Sequence, residues 1–357
     1  MLAEPDEWCT LAKEVLPWAR TLIVVGAVDT GKTTLTTWLA NRACLLGYKT
    51  AVVDADVGQS DIGPPATVGL GLLRQAVEYL HDVPVVDLYF VGSTTPRGHV
   101  AAALTGTKRM VEQAFAAGAD RVLISTTGLV GGSLGRTLKY HKVNLTRPDC
   151  IIALQRHGEI EPLLNTWEAS GFLVYRLPVP AGVRRRSFET RAAFRNGRWR
   201  EFFTGARRQV LPFGSFHTAR TSIFTGEPIS EKDRQKLESL VGQPLLWAEK
   251  TPVGANAVTP HPLPKEAAAA AAALLKVPKL LRIAPESFRG VIAGLVGPEG
   301  RCLSLGWVEK VDYEAASLLV VTPYRGDEPV SVVEFSSVRL DAEIIFEKGA
   351  KSEAESA

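Results

Sequence analysis

Residues 26–33 read Gly-Ala-Val-Asp-Thr-Gly-Lys-Thr and fit the pattern GxxxxGK[ST]. The pattern constrains the fold because it needs a buried strand before it and a helix after it. Both are present, as TLIVV and KTTLTTWLA. Glycines let the backbone curl so that successive N–H groups face inward and hold an anion. The helix N-terminus adds positive potential at the same point. The spacing predicts that Gly26, Ala27, Val28, Asp29, Thr30, Gly31, Lys32, Thr33 and Thr34 wrap nucleotide phosphates. Lys32 then reaches the β- and γ-phosphates of ATP, and the Thr33 hydroxyl ligates Mg²⁺.

The surrounding chain keeps the same rhythm. TLIVVG, TAVVDAD, VVDLYFVG, RVLISTT, CIIALQ and FLVYRLPV are short apolar runs that read as buried strands. Segments 32–46, 100–117 and 160–170 read as helices between them. Repeated strand–helix–strand units predict an α/β fold with a mostly parallel sheet flanked by helices. Beyond residue 179 the character changes. Residues 183–203 are Arg-rich and helical in period. From about residue 210 come β-like runs, SIFTG, VIAGLVG, LSLGWVEKV, SLLVVTP and VSVVEF, with the Ala-rich helix KEAAAAAAALLK among them. The expected organisation is a short N-terminal segment (1–20), a P-loop domain (21–208) with a lid at about 183–203, and a smaller β-rich domain (209–346). A polar, disordered tail (347–357) follows.

Carboxylates at the C-terminal end of a strand face the ligand crevice of an open α/β sheet. The second strand ends in Asp54-Ala55-Asp56-Val57-Gly58-Gln59, so one acid can hold Mg²⁺ and the other can take the proton of an attacking hydroxyl. The net charge, +3 from 41 basic and 38 acidic residues, does not itself imply a polyanion partner. Its distribution is uneven: from Arg176 to Arg208 there are ten Arg against Glu189 and Glu201. Arg186, Arg191, Arg195 and Arg198 keep broadly to one helical face. Arginines over a phosphate cradle neutralise charge on a transferring phosphoryl group, and they attract a nucleic-acid backbone. Phe194, Trp199, Phe202 and Phe203 lie among them and read as packing rather than base stacking.

Cys9, Cys44, Cys150 and Cys302 form no CxxC pair, which argues against a zinc site or disulfide framework. His141, His157 and His217 lack a second ligand at metal spacing and read as surface residues. No apolar run reaches about 18 residues and the start lacks a signal-peptide core, so a cytoplasmic protein without a membrane partner is expected.

Three segments together resemble the polynucleotide 5′-hydroxyl kinases that include the Clp1 and Grc3/NOL9 proteins. These are the GAVDTGKTT cradle, DADVGQSDIGPP against that family's DxDxGQxxxxPP, and the lid run Arg186-Ser187, Arg191, Arg195, Arg198 and Arg200-Glu201-Phe202-Phe203. The resemblance covers roughly residues 21–205. It implies transfer of the γ-phosphate of ATP to the 5′-OH end of single-stranded RNA or DNA. It also implies Asp56 as general base, Arg191 as the lid's transition-state arginine, and Arg186 as a substrate or phosphate contact. Ser125-Thr126-Thr127-Gly128 is similar to the family's clasp around the Lys32 side chain, with Thr126 as the clasp threonine. Where the family's clasp continues with Trp, this chain has Leu129.

Asp54 is the expected metal partner, and Gln59 and Arg195 are expected to face the substrate. Thr95 and Arg97, in Ser93–His99 after the third strand, either touch substrate or belong to a plain turn. No residue is assigned to the adenine, and protein partners are not indicated. Two other readings stand beside the kinase. A P-loop GTPase switch or metallochaperone lacks support from an [NT]KxD motif. A non-catalytic ATP-binding scaffold for RNA processing would not need Lys32, Asp56 and Arg191 together.

Overall fold

The computed structural model describes residues 5–346. The tail expected at 347–357 lies outside them, as do residues 1–4. The chain folds into two compact units that divide between Phe202 and Phe203.

The first unit runs α1 (Asp6–Val15), β1 (Thr21–Gly26), α2 (Lys32–Leu45), β2 (Thr50–Ala55), β3 (Thr67–Leu73), β4 (Val85–Phe90), α3 (Val100–Ala116), β5 (Arg121–Thr126), α4 (Gly132–Thr146), β6 (Cys150–Gln155), α5 (Glu161–Ala169), β7 (Leu173–Pro178) and α6 (Phe188–Phe203). Seven strands form one sheet in the order β4-β3-β2-β5-β1-β6-β7. The β2–β5, β5–β1, β1–β6 and β6–β7 pairs are parallel. Along β1, residues alternate between two cores. Ile23 and Val25 pack with the cluster containing α3, α4 and α5 residues, and Leu22 and Val24 with that containing α1 and α2 residues. Every residue of β1, β2 and β5 is buried, so their three C-terminal ends sit at the middle of the sheet edge. This alternation produces the layered α/β arrangement expected from the sequence.

Two expectations need correction. VVDLYFVG and FLVYRLPV were expected as buried strands, but β4 and β7 are the sheet edges, with Val85 47% and Leu173 52% exposed. Moreover β3 was not expected. It pairs antiparallel with both β2 and β4, so no crossover helix separates these three strands. Its run TVGLGLL is interrupted by Gly69, where a Cβ would lie 2.0 Å from the Ile62 carbonyl oxygen. The glycine weakens the strand signal in the sequence because the loop after β2 packs on the backbone there.

The second unit holds two sheets. Its strands are β8 (Arg207–Pro212), β9 (His217–Ala219), β10 (Glu227–Pro228), β11 (Trp247–Thr251), β12 (Gly254–Val258), β13 (Leu280–Ile283), β14 (Val291–Val296), β15 (Cys302–Asp312), β16 (Ser317–Thr322) and β17 (Val332–Arg339). They are ordered β8-β16-β15-β14-β17-β9 and β10-β11-β12-β13. The helices are α7 (Glu231–Val241), α8 (Lys265–Leu275) and the short α9 (Ala342–Ile345). The Ala-rich segment is α8, starting after Pro264. SIFTG is no strand: residues 222–226 form a bend. Ile223 there is buried in the aromatic core with Phe216, Phe288 and Phe335, so its apolar character serves packing rather than sheet pairing.

Candidate active site

The loop between β1 and α2 curls as the motif requires. Gly31 takes a left-handed φ of 86° just before the helix, and Asp29 takes φ 55°. The Thr30 hydroxyl is buried and donates to the Ala27 carbonyl at 3.0 Å, which closes the turn from inside. Lys32 bends back and its ammonium donates to the same carbonyl at 2.6 Å. Burial lowers the Lys32 pKa to about 8, against the opposing pull of Asp56 and Asp29. An anion in the loop would raise it again, since a neighbouring negative charge favours the protonated form. Val28, Asp29, Thr30, Gly31, Lys32, Thr33 and Thr34 line a cleft of about 280 Å³.

The loop after β2 forms the opposite wall. Asp56, Gly58, Gln59 and Asp61 line the cleft, but Asp54 does not. Asp54 is 1% exposed and its carboxylate accepts three backbone N–H groups, from Asp56 at 3.1 Å, Asp61 at 2.6 Å and Ile62 at 3.1 Å. Asp54, expected as the metal partner, lies beneath the loop and anchors it through both oxygens. Burial, with Asp61 and Asp56 nearby, pushes its pKa up to about 8. Asp56 faces the cleft, and its Oδ1 accepts from the N–H groups of Gly58 and Gln59. Asp61 was not singled out from the sequence, although it stands within DADVGQSD. Burial raises its pKa to about 6, opposed mainly by Arg198.

The segment after β5 gives the third wall. Thr127 and Gly128 line the cleft. A Cβ on Gly128 would fall 2.6 Å from the Val28 Cα, so this position admits glycine alone without moving the phosphate loop. Thr126 is placed differently from the clasp expectation. Its hydroxyl donates to the Val24 carbonyl and accepts from Lys139, at 2.7 and 2.6 Å. The ammonium that hydrogen-bonds the clasp is that of Lys139, which also donates to the Thr127 carbonyl. Lys139 and Lys142 are buried on the inner face of α4. Burial lowers the pKa of both, Lys142 to about 8. The Lys142 ammonium has no hydrogen-bond partner among the described residues. A signal was available: 138, 139, 142, 143 and 146 share a helical face, and lysines stand at two of those positions.

The lid closes the fourth side. Helix α6 begins at Phe188, so Arg186 precedes it, while Arg191, Arg195 and Arg198 lie on it. Asp29 of the phosphate loop holds the lid. Its Oδ2 accepts the Arg186 N–H at 3.0 Å and Arg191 Nη1 at 3.1 Å. Arg191 also donates to the Arg186 carbonyl at 2.7 Å, and Gln59 Nε2 to the Arg191 carbonyl at 3.2 Å. Arg198 ties the helix to the β2 loop through the Asp61 carbonyl at 2.7 Å. Arg186, Arg191, Phe194 and Arg195 line the cleft. Trp199 and Phe203 are buried, as the packing reading expects. Thr95 and Arg97 are exposed and do not line the cleft. Their loop is a turn in which Ser93 Oγ accepts from the Thr95 N–H and Thr95 Oγ1 from the Arg97 N–H.

Comparison with known proteins agrees with this geometry. The family model described as mRNA cleavage and polyadenylation factor CLP1 P-loop matches residues 26–205. A polyribonucleotide 5′-hydroxyl-kinase of Methanocaldococcus jannaschii is 34% identical over 328 residues, 90% of this chain and 87% of that protein. The chain belongs to the Clp1 P-loop family. A second polyribonucleotide 5′-hydroxyl-kinase, from Thermococcus kodakarensis, is 34% identical over 348 residues, 95% of this chain and 94% of its own length. A chain of the solved Clp1p–Pcf11p complex superposes with a TM-score of 0.60 at 13% identity, covering 94% of this chain and 80% of that one. That likeness establishes a shared fold. The matched segment of the Clp1 P-loop family contains the cradle, the Asp56 loop, the clasp and the whole lid helix. Among the described residues, no helix is long and apolar enough to cross a membrane.

Proposed function

We propose that this chain is an ATP-dependent polynucleotide 5′-hydroxyl kinase that phosphorylates single-stranded RNA or DNA ends. The observation that carries the reading is one cleft lined by a phosphate-binding lysine, an acid able to take a proton, and lid arginines. The relatives named as polyribonucleotide 5′-hydroxyl-kinases, matched along nearly the whole chain, support the same substrate class.

The residues fit a nucleotide and Mg²⁺. The loop presents its N–H groups at the start of α2, and Thr33 lies in that first turn. Among the described residues, no group of three His, Cys, Asp or Glu could hold a metal alone. Mg²⁺ typically takes one or two protein oxygens and completes its shell with phosphates and water. Thr33 and the cleft carboxylate Asp61 would hold it. When bound, it neutralises charge between the β- and γ-phosphates. Lys32 leaves the Ala27 carbonyl to hold the same phosphates. Asp56 accepts the proton of the attacking 5′-hydroxyl. Arg191, positioned by Asp29, meets the equatorial oxygens with a planar fork, and Arg195 and Arg186 extend positive charge toward the acceptor strand. Gln59 orients the acceptor side through its carboxamide.

The test is transfer of label from [γ-³²P]ATP to RNA and DNA oligomers bearing a 5′-OH. Label at the 5′ end supports the reading. ATP binding without transfer to either acceptor would leave the scaffold reading in its place.

A further inference from the structure

We infer that Lys139 is a positioning residue of the cleft: from within α4 its side-chain nitrogen fixes the wall at Thr127–Gly128 against the phosphate loop, and so sets where the lid anchor Asp29 stands. The inference deepens the kinase reading and rests on it for its activity test. Lys139 is wholly buried, and its nitrogen donates to two acceptors at one strand end, Thr126 Oγ1 at 2.6 Å and the Thr127 carbonyl at 2.5 Å. Burying a lysine nitrogen is costly, and an apolar chain would fill the same face of α4 without that cost. What the lysine adds is the pair of bonds. Burial, and then the adjacent Lys142, lower the Lys139 pKa. A neutral amine still carries two N–H donors, so both bonds survive loss of the proton.

The bonds matter because the wall touches the cradle. Thr126 ties the end of β5 to the Val24 carbonyl of β1 at 2.7 Å. Lys139 carries the restraint one residue further, to where the chain leaves the sheet. Gly128 follows, and a Cβ there would fall 2.6 Å from Val28 Cα and 2.7 Å from Val28 N. The first turn of α4 presses on the same segment, since a Cβ on Gly135 would fall 2.8 Å from the Val130 carbonyl carbon. Val28 precedes Asp29, whose Oδ2 accepts from the Arg186 N–H and from Arg191 Nη1. A shifted wall therefore moves the anchor of the lid arginine. The cradle keeps its own shape through the bond from Thr30 to the Ala27 carbonyl, so placement of Arg191 suffers more than phosphate binding. Lys142, a turn further along the same buried face, supplies the control, because its side-chain nitrogen has no hydrogen-bond partner among the described residues.

Lys139→Met and Lys142→Met are compared on the full chain by single-turnover transfer from [γ-³²P]ATP to a 5′-OH oligomer, by calorimetry with ATP, and by amide hydrogen exchange. Lys139→Met is expected to lower the transfer rate on the order of 10–10²-fold with ATP affinity nearly unchanged. Exchange should become faster in peptides covering residues 127–131 and 186–191. Lys142→Met is expected to match the wild type in all three. Gly128→Ala presses the same wall from the cleft side and is expected to show the same split, which keeps the test open should Lys139→Met fail to fold. A wild-type transfer rate in Lys139→Met or in Gly128→Ala, or an equal loss in Lys142→Met, would overturn the inference. A wild-type chain that binds ATP but labels no 5′-OH end would overturn the kinase reading alone. The exchange comparison then decides: faster exchange at 127–131 in Lys139→Met keeps the inference, and unchanged exchange there ends it.

Discussion

Asp54 and Asp56 stand two residues apart, yet one anchors a loop and the other faces the cleft. Asp56→Asn keeps the shape and removes the base, so kcat should fall on the order of 10²–10⁴ with ATP affinity nearly unchanged. Asp54→Asn puts an amide donor among three backbone N–H groups. It should lower the melting temperature well below that of Asp56→Asn, with a cost of about 1–3 kcal/mol. Melting curves beside single-turnover rates check both; a stable but dead Asp54→Asn would reverse the assignment. Arg191→Lys should be nearly as damaging to kcat as Arg191→Ala, because lysine lacks the fork that meets two oxygens at once. A fully active lysine variant would reduce Arg191 to a source of field. At this scale the placement of the cradle and of Asp56 at one cleft was legible because both motifs are local in sequence. The part played by Asp54 was not, because its partners at 61 and 62 reach it only when the loop folds back.

Helix α4 sets two buried lysines behind the clasp, and it makes its own prediction. The Lys142 pKa falls from 10.5 to about 8, chiefly by burial, which corresponds to about 3 kcal/mol. For a base with a lowered pKa, that cost is fully present below about pH 8. It is relieved as pH rises toward 10.5, where the unfolded chain also loses the proton. Lys142→Met should therefore melt higher than wild type at pH 7, with the gap shrinking by pH 10. A gap that is absent or grows with pH contradicts the account. Element order was largely readable from apolar runs and helical period. The exceptions have physical causes: β4 and β7 are apolar yet lie at edges, β3 carries glycines where a loop presses on it, and SIFTG buries Ile223 without pairing. The lid helix was legible from its arginines, but not its tether, since Asp29 and Arg191 are far apart in sequence.

As a whole molecule, the chain concentrates positive charge in one segment while its net charge is small. If the lid arginines hold an acceptor strand, affinity for an oligomer should fall steeply with salt, as released counterions cease to favour binding. The arginines read phosphate and carry no base-edge information, so little sequence preference is expected among single-stranded ends. The division at Phe202/Phe203 leaves the cleft-lining residues within the first unit. The central claim is that one cleft moves the γ-phosphate of ATP to a polynucleotide 5′-hydroxyl. The most direct measurement is kcat/KM for [γ-³²P]ATP transfer to a short 5′-OH oligomer and to a free nucleoside, at two salt concentrations. The account predicts 5′-end label, preference for the oligomer by at least about tenfold, and loss of that preference as salt rises. Preference for the nucleoside, or an oligomer rate indifferent to salt, would contradict it.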